Sequence, residues 1–344
     1  AELVGKRHRV YLLAFSPDRE LQQEWRAEEP ASHLIGAHFI FRSKGPLRFM
    51  HLLHAMRAAK HKMELASFRP DIIHGSILHH SGELFQYFKQ VFKVPIVCSE
   101  HWSGYLPERQ AQMSAPDKLR LLLSRRTVQH LLPVTEQLGS ALREIHGFKQ
   151  DSTVWRNVVD DALFFPEADK AFDFIHLSTL DKNKRPKSII EAFKAVLQKH
   201  PNAKMSLGGD GEIDSLITLR ESLNIPKTSL DIHGALGYEE AAKRIRSARC
   251  LVQFSGYENL PCTIGEALTA GLRVVSSNVG GISEVVGEAN GQLIEKDDVS
   301  ALSRAMIKEL EYPPTNVEFD LMRPKYLLDQ IDEVYKSLNL PSAK

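Results

Sequence analysis

Two glutamates, Glu258 and Glu266, are separated by seven residues where a loop is predicted to enter a helix. Pro261 suits the first helical position because its missing N–H would be unpaired there anyway, and Gly271 suits the left-handed position after the last turn. These residues predict a helix of roughly ten residues that contains Glu266 and leaves Glu258 in the preceding loop. The free N–H groups at the start of that helix attract an anion such as a phosphate. Carboxylates that flank a phosphate-binding turn fit a sugar nucleotide, which has hydroxyls at both ends and negative charge in the middle.

The elements that must position these residues alternate between strand and helix. Short apolar runs without strict alternation predict strands that are buried on both faces. Helical patterns lie between them, for example at 186–200, 238–246 and 300–310. Alternation in both halves predicts two doubly wound α/β domains. The predicted strands are 9–15, 38–41, 71–74, 95–99, 131–134, 153–156, 172–178, 204–208, 230–233, 250–254, 273–276 and 292–294.

The length of 344 residues also favours two domains of ordinary size. Turn residues and charges at 165–167 precede a new apolar strand. We therefore predict an N-terminal domain over 1–165 and a C-terminal domain over 166–322. A last helix is predicted over 325–338, in a segment 323–344 that can pack across the domain boundary.

Glycines that could admit a phosphate lie in the second half of the chain. The first predicted strand is followed by 15–19, which lacks the G-x-G-x-x-G pattern of a dinucleotide site. Glycines follow later strands at 208–211, at Gly234 and at 280–281. Binding of the sugar nucleotide is therefore assigned to the C-terminal domain.

Composition excludes several classes of protein. A hydrophobic fraction of 43% is ordinary for a soluble protein, and no apolar run approaches the ~18 residues that span a bilayer. Three cysteines, Cys98, Cys250 and Cys262, are far apart, which argues against a disulfide framework or a structural zinc site and fits a reducing cytosol. No signal peptide pattern is present, so a cytoplasmic location is expected.

Neither nucleic acid nor a metal is an expected partner. The formal net charge of +1 reflects balanced charges, and no basic and aromatic strip is present. His74, His79 and His80 follow a predicted strand but have no carboxylate or cysteine at ligand spacing. No D-x-D motif lies near a strand end.

A basic segment lies in the first half of the chain. Residues 42–62 contain six Lys or Arg, three His and no acidic residue. Phe49, Leu52, Leu53 and Met56 recur at helical spacing, which is more often a stripe that faces the core than a membrane anchor. Peripheral contact with the inner face of the membrane is therefore a secondary expectation.

Six short elements occur in a fixed order and carry a family resemblance. They are Pro70-Asp-Ile-Ile-His74; Ser99-Glu-His101; Arg156-Asn-Val-Val-Asp160 with Phe165-Pro166; 200–211; Glu258 to Glu266 with 270–275; and 279–286 with Asn290-Gly291. Each is weak alone, but together they resemble the retaining glycosyltransferases of family 4. The resemblance runs from about residue 8 to 338. It implies the GT-B fold, with two Rossmann-like, doubly wound parallel-sheet domains that face a cleft.

The resemblance also implies roles for individual residues. Glu258 would meet a sugar hydroxyl and stabilise positive charge at the anomeric carbon, and Glu266 would accept hydrogen bonds from the ribose. Lys184 would contact the diphosphate, and His101 would lie near the reacting sugar. The implied catalytic residues are Glu258 and His101, and the implied donor-binding residues are Lys184, Glu258, Asn259, Leu260, Pro261 and Glu266.

The reaction that the resemblance implies is transfer of a sugar from a UDP-sugar or GDP-sugar to a hydroxyl of a glycan or lipid-linked acceptor, with retention at the anomeric carbon. In this front-face route, the leaving phosphate of the donor takes the proton of the acceptor, and neither metal nor cofactor takes part. Two alternatives stay open: an epimerase of sugar nucleotides with the same fold, and a non-catalytic module that binds sugar nucleotides.

Two features depart from the family pattern. The family places an arginine and a lysine on the diphosphate; here Lys184 is present, but Thr179 stands at the arginine position. Lys182 or Arg185 could supply the lost charge, because a threonine cannot copy the paired hydrogen bonds of arginine to phosphate. The chain also begins at Ala1 with what resembles the end of a helix. A first βα unit and its glycine-rich loop are therefore expected to be missing.

Overall fold

The computed structural model describes residues 1–23, 25–29, 35–42, 47–107, 113–312 and 317–338. The chain divides into two compact units. The boundaries predicted at residues 165 and 322 stay predictions. Unit 1 comprises Ala1–Ser99, Met113–Leu131 and Ile331–Lys344, and unit 2 comprises Glu100–Gln112 and Leu132–Gln330.

Unit 1 contains a small sheet covered by a long helix. Strand β3 lies between β1 and β2; it runs parallel to β1 and antiparallel to β2. Strand β2 was not predicted, and it makes this sheet mixed rather than purely parallel. Buried Phe39 and Phe41 of β3 form a hydrophobic core with Leu52 and Met56 of α2. The elements are α1 (Glu2–Gly5), β1 (Leu12–Asp18), β2 (Trp25–Glu28), β3 (Gly36–Arg42) and α2 (Arg48–Leu65).

The rest of unit 1 follows the predicted alternation. Strands β4 and β5 pair in parallel, and helix α3 follows β4. Helix α4 packs against α3, where Ser124 Oγ donates a hydrogen bond to the Leu78 carbonyl at 2.6 Å. Burial lowers the pKa of His79 on α3 to about 4, so this side chain is neutral at physiological pH. The elements are β4 (Ile73–Ser76), α3 (Leu78–Phe92), β5 (Ile96–Glu100) and α4 (Ala115–Thr127).

Unit 2 is built on a six-stranded sheet in which every neighbouring pair is parallel. The strand order is β10-β9-β8-β11-β12-β13. The strands are rich in residues that are completely buried, such as Ile175, Leu207, Leu251 and Val274. Burial on both faces explains why these segments are apolar without alternation. The strands are β8 (Phe172–Ser178), β9 (Met205–Gly209), β10 (Leu230–His233), β11 (Ala248–Gln253), β12 (Arg273–Ser277) and β13 (Gly291–Ile294).

Helices α6 to α9 lie between successive strands of this sheet, as its parallel pairing requires, whereas α5 precedes the sheet and α10 and α11 follow it. Five of the helices were predicted, and the ends of four of them, at 186–199, 238–246, 299–311 and 324–337, agree within about one residue. Strand β6 (His130–Pro133) spans the junction of the two units in the chain and leads to α5. The helices are α5 (Glu136–Glu144), α6 (Pro186–Lys199), α7 (Asp214–Ser222), α8 (Tyr238–Arg246), α9 (Cys262–Thr269), α10 (Val299–Glu311) and α11 (Pro324–Ser337).

Two strand predictions are wrong in position. The first strand lies at Leu12–Asp18 instead of 9–15. The predicted strand 153–156 is irregular, and a two-residue strand β7 (Asp151–Ser152) precedes it. Trp155, in the middle of the predicted strand, makes two hydrogen bonds to other segments of unit 2. Its indole Nε1 donates to the Leu327 carbonyl at 3.1 Å, and its backbone N–H donates to the Pro133 carbonyl at 2.9 Å.

The described part of the chain has no helix that is long and apolar enough to cross a bilayer.

Candidate functional site

The centre of the sheet in unit 2 is a point where the strand order reverses. Strands β9 and β10 follow β8 on one side, whereas β12 and β13 follow β11 on the other. In open α/β sheets, ligands bind beyond the carboxyl ends of the strands at such a reversal. The loop after β8 carries Lys184, and the loop after β11 carries Glu258. The fold therefore brings a cation and an anion to the position where a ligand is expected.

Lys184 and Glu258 form an ion pair in which Lys184 Nζ donates to Glu258 Oε1. Their side chains are 17% and 12% exposed, so water and salt screen this pair less than a surface pair. Asn183 holds the two loops together. Its Nδ2 donates to the Tyr257 carbonyl and its Oδ1 accepts from the Tyr257 N–H, both at 3.0 Å, and its carbonyl accepts from the Gly256 N–H at 2.9 Å. Hydrogen bonds between the loop of Lys184 and the loop of Glu258 thus position the ion pair.

Thr179 organises the loop that carries Lys184. Its Oγ1 donates to Asp181 Oδ2 at 2.8 Å, and Asp181 Oδ1 accepts from the N–H groups of Asn183 at 2.8 Å and Lys184 at 3.1 Å. Burial alone would raise the pKa of Asp181, but these hydrogen bonds outweigh it and the pKa is lowered. Asp181 therefore stays ionised and holds the loop, and Thr179 contributes no positive charge.

Arg185 places a second positive charge at this edge of the sheet. Its Nη2 lies 2.5 Å from Asp297 Oδ1, and its guanidinium carbon lies 5.6 Å from the centroid of the Phe254 ring. Its Nη1 is buried and has no acceptor among the described residues. Lys182, in contrast, is exposed. Of the two candidates for the missing arginine charge, Arg185 is the one that the fold directs toward the loop of Glu258.

Helix α9 starts one residue later than predicted. Pro261 has extended backbone angles, with φ −61° and ψ 133°, so it precedes the helix instead of opening it. The extended backbone at Pro261 leaves a helix of eight residues, Cys262–Thr269. Pro261 provides no side-chain cap, which leaves the first N–H groups available to an anion. Gly271 has the predicted left-handed conformation, with φ 78°.

Glu266 lies on the second turn of α9. Burial raises the pKa of its carboxyl from 4.5 to about 7. No residue in the described ranges forms an ion pair or a hydrogen bond with that carboxyl. A partly buried acceptor without a partner is suited to receive hydroxyl groups of a ligand.

Asn259 links the loop of Glu258 to two other segments of unit 2. Its side chain is buried, with 6% of the residue exposed. Nδ2 donates to the His101 carbonyl and Oδ1 accepts from Thr135 Oγ1, both at 3.0 Å. Its own carbonyl accepts from the Gly281 N–H at 2.8 Å. The amide is therefore bonded at both ends, which fixes its orientation.

His101 lies in the segment of unit 2 that begins at Glu100. The buried Glu100 carboxylate accepts from the N–H groups of His101 and Trp102, both at 2.9 Å. Burial lowers the pKa of His101, opposed by a hydrogen bond with the Asn157 side chain. Nδ1 of His101 is buried without a partner in the described ranges. Asn157 also donates to Cys262 Sγ at 3.4 Å, so it connects His101 with the start of α9.

Replacing Gly280 with alanine is expected to destabilise unit 2 by about 1–3 kcal/mol. Gly280 has φ 60°, and a Cβ atom there would lie 2.1 Å from the Glu258 carbonyl oxygen. The side chain would strain the backbone and displace the loop of Glu258. Chemical denaturation measures the change, with Gly287→Ala as the control, because a Cβ at Gly287 meets nothing within 4 Å. Equal stability of the two variants would contradict this packing.

The residues predicted from the sequence thus converge in unit 2. Lys184 and Glu258 are in direct contact, and Asn259 joins His101 to the same loop. Their roles toward a ligand stay predictions. Three polar residues that position the site were not predicted to do so, although one of them, Asn157, lies within the element Arg156–Asp160 that carries the family resemblance. They are Thr135, Asn157 and Asn183.

Two family models match adjoining parts of the chain. The model described as Glycosyltransferase Family 4 matches residues 1–163, and the model described as Glycosyl transferases group 1 matches residues 162–320. Both models describe glycosyltransferases, and together they cover residues 1–320. The second match contains the loops of Lys184 and Glu258 and the whole of α9.

Similar proteins agree with this family and with the GT-B fold. A glycogen synthase of Mycobacterium tuberculosis is 26% identical over 268 residues, which cover 72% of this chain and 62% of that protein. Among solved structures, a sucrose-phosphate synthase of Thermosynechococcus elongatus has a TM-score of 0.73 and 18% identity, over 97% of this chain and 90% of that one. Anabaena HepE, solved with UDP and glucose, has a TM-score of 0.70 and 17% identity, over 89% and 87%. The chain spans between 28% and 62% of the length of the curated relatives that it matches.

Proposed function

We propose that this protein transfers a sugar from a nucleotide diphosphate donor to a hydroxyl acceptor, with retention at the anomeric carbon. The observation that supports this most is the ion pair between Lys184 and Glu258 at the reversal of the strand order, beside the uncapped start of α9. A cation next to free N–H groups suits a diphosphate, and the adjoining carboxylate suits the sugar attached to it.

The donor would lie across the loops after β8 and β11. Lys184 and the first N–H groups of α9 would hold the diphosphate, with Arg185 as a further source of positive charge. Backbone N–H groups of Asn259 and Leu260, followed by Pro261, would line the sugar and phosphate. Glu266 would accept hydrogen bonds from the ribose hydroxyls, because its carboxyl has no partner in the described ranges.

The chemistry would follow a front-face route. The acceptor oxygen forms a bond to the anomeric carbon on the face from which the phosphate departs, so configuration is retained. The bond between that carbon and the phosphate oxygen breaks, and the phosphate takes the proton of the acceptor hydroxyl. Lys184 and the helix N–H groups would stabilise the leaving diphosphate, and Glu258 would stabilise positive charge on the sugar. The proposal assigns no step to a metal or cofactor.

His101 would act close to the sugar. A lowered pKa keeps its imidazole neutral at physiological pH, so it can form hydrogen bonds without adding a positive charge beside the anomeric carbon. Because Asn259 holds its carbonyl, His101 would move together with the loop of Glu258. The donor would be a UDP-sugar or a GDP-sugar, and the structure of the similar HepE with UDP supports the former.

The acceptor would be a glycan or a lipid-linked molecule, and the protein would work in the cytoplasm. The relatives named above include a glycogen synthase, which supports a glycan. A basic segment on unit 1, residues 42–62, favours contact with a membrane surface.

A panel of nucleotides tests the proposal. Thermal unfolding is followed with UDP, GDP and ADP and with their sugar derivatives, and free nucleotide is assayed with and without added glycan acceptors. At a ligand concentration of 100 Kd, native-state stability rises by about 2.7 kcal/mol. We expect one base to raise the melting temperature strongly, and an acceptor to accelerate nucleotide release from its sugar.

The alternatives give different results in the same panel. An epimerase converts the sugar of the donor without any acceptor, and a binding module is stabilised by the nucleotide but releases none. Stabilisation by no nucleotide at all would exclude the donor site itself.

A further inference from the structure

Three large apolar side chains are exposed together at the start of α2 in unit 1. Leu47, Phe49 and Met50 are 52%, 55% and 49% exposed. They lie within four consecutive positions, so their side chains share the first turn of the helix. The other apolar residues of α2 contribute to the core: Leu52, Ala55, Met56, Ala59 and Met63 are buried. The apolar residues that recur at helical spacing in the sequence therefore have different environments. Leu52 and Met56 lie in the core, and Phe49 lies at the surface.

Basic residues are frequent along the helix that follows this exposed turn. The segment 42–62 contains six Lys or Arg and no acidic residue. Two of the cations are engaged, since Arg48 pairs with Glu83 at 3.4 Å and Lys60 pairs with Glu64 at 2.6 Å. Arg57 and Lys62 are exposed and form no ion pair with any residue in the described ranges. The helix thus presents apolar side chains at its start and unpaired positive charges further along.

We infer that this surface, formed by Leu47, Phe49, Met50, Arg57 and Lys62, docks the protein on an anionic lipid bilayer. Apolar side chains that project from one helical turn can enter the boundary between headgroups and acyl chains, and neighbouring Lys and Arg side chains attract anionic lipid. Unpaired cations on the same helix as exposed apolar side chains suit an anionic bilayer. Nucleic acid would need the cations but would not require the apolar turn. The inference extends the proposed function, because a lipid-linked acceptor would be met at that bilayer.

Flotation with vesicles tests the docking surface. Vesicles of phosphatidylcholine alone are compared with vesicles that contain about 30 mol% phosphatidylglycerol. We expect the full chain to float with the anionic vesicles, less so at high salt, and weakly with the neutral ones. A variant with Leu47→Ser, Phe49→Ser and Met50→Ser should bind the anionic vesicles at least about fivefold less. Arg57→Gln with Lys62→Gln should also reduce binding and weaken its dependence on salt.

Ile145→Ser is the matched control. Ile145 is 40% exposed at the end of α5 in unit 2, outside the docking surface. Its variant should float like the parent chain. The inference is wrong if the parent does not bind anionic vesicles, if Ile145→Ser loses as much binding as the triple variant, or if the triple variant binds normally. If the protein does not bind vesicles but does bind an acidic protein, the partner of this surface is a protein and not a bilayer.

Stabilisation by nucleotide separates this test from the proposed function. The triple variant should show the same rise in melting temperature with nucleotide as the parent, because the altered side chains lie in unit 1 and the proposed donor residues lie in unit 2. Loss of flotation with intact nucleotide stabilisation supports the docking surface. Normal flotation with no nucleotide effect contradicts the proposed function alone.

Discussion

Replacement of Glu258 with glutamine is expected to slow sugar transfer by about 10²- to 10³-fold, as removal of one group that stabilises transition-state charge does in other enzymes. Glutamine keeps the shape of the side chain but removes its negative charge. If Glu258 stabilises positive charge at the anomeric carbon, the loss falls on turnover. Turnover is measured under saturating donor, so that the effect on the chemical step is separated from binding.

Binding of the free nucleotide diphosphate should survive the same substitution. Glu258 holds Lys184 in an ion pair, so Glu258→Gln releases the lysine to interact with the diphosphate. We therefore expect the Kd of the nucleotide to stay within about threefold of the parent value or to become lower. Calorimetric titration with UDP and GDP measures it.

A double-mutant cycle with Lys184→Gln distinguishes a ligand role from a structural one. Lys184→Gln should weaken nucleotide binding, because it removes a cation from the diphosphate, whereas Glu258→Gln should not. If Glu258 served only to hold Lys184, both single variants would lose binding alike and the double variant would be no worse than either. Glu311→Gln, at the exposed end of α10, is the control for the loss of one carboxylate.

Local patterns explain why much of the fold could be predicted. Strands such as β8 and β12 are short apolar runs buried on both faces, and α6 and α10 have strong helical periodicity, so neighbouring residues in the sequence determine them. Strand β2 was missed because it lies beside β3 only through tertiary pairing. Helix α9 is shorter than expected because Pro261, predicted as its first residue, has extended backbone angles and precedes it.

The sequence indicated which charged residues belong to the candidate site, but it did not indicate the hydrogen bonds that connect its loops. Glu258, Glu266 and Lys184 are charged residues beside predicted strand ends and a helix start, where position alone indicates a ligand. The hydrogen bond from Asn259 to the His101 carbonyl spans 158 positions in the chain, and that from Asn183 to Tyr257 spans 74. Asparagine in a loop is equally consistent with an ordinary turn, so only the packed structure shows which amides connect the loops.

The second large effect concerns protonation of Glu266. Its pKa of about 7 means that the free protein holds this carboxyl largely protonated at pH 6 and largely ionised at pH 8. If ribose hydroxyls donate to the ionised form, binding of a nucleotide sugar should strengthen by about tenfold between pH 6 and pH 8. A nucleotide sugar is the right probe, because its diphosphate is esterified at both ends and does not titrate in this range.

Titration calorimetry at pH 6, 7 and 8, in buffers with different ionisation enthalpies, measures both the affinity and the protons released on binding. In Glu266→Gln the dependence on pH should largely disappear, and affinity at pH 8 should fall by about tenfold or more. An unchanged affinity in this variant would contradict the ribose contact.

The stability of the free protein should change in the opposite direction. The pKa of Glu266 is raised from 4.5 to about 7 in the folded state, so the folded chain binds more protons than the unfolded chain between these values. The free energy of unfolding therefore falls as pH rises through this range, and the cost persists above pH 7. Glu266→Gln removes the buried charge and should raise stability at pH 8 by about 1–3 kcal/mol, with little change near pH 4. Chemical denaturation at both pH values, with exposed Glu191→Gln on α6 as the control, measures the difference. If removal of the Glu266 carboxylate stabilises the free protein but weakens binding of a nucleotide sugar, the carboxylate serves the ligand. Removal of a residue that supports only the fold would lower both stability and affinity.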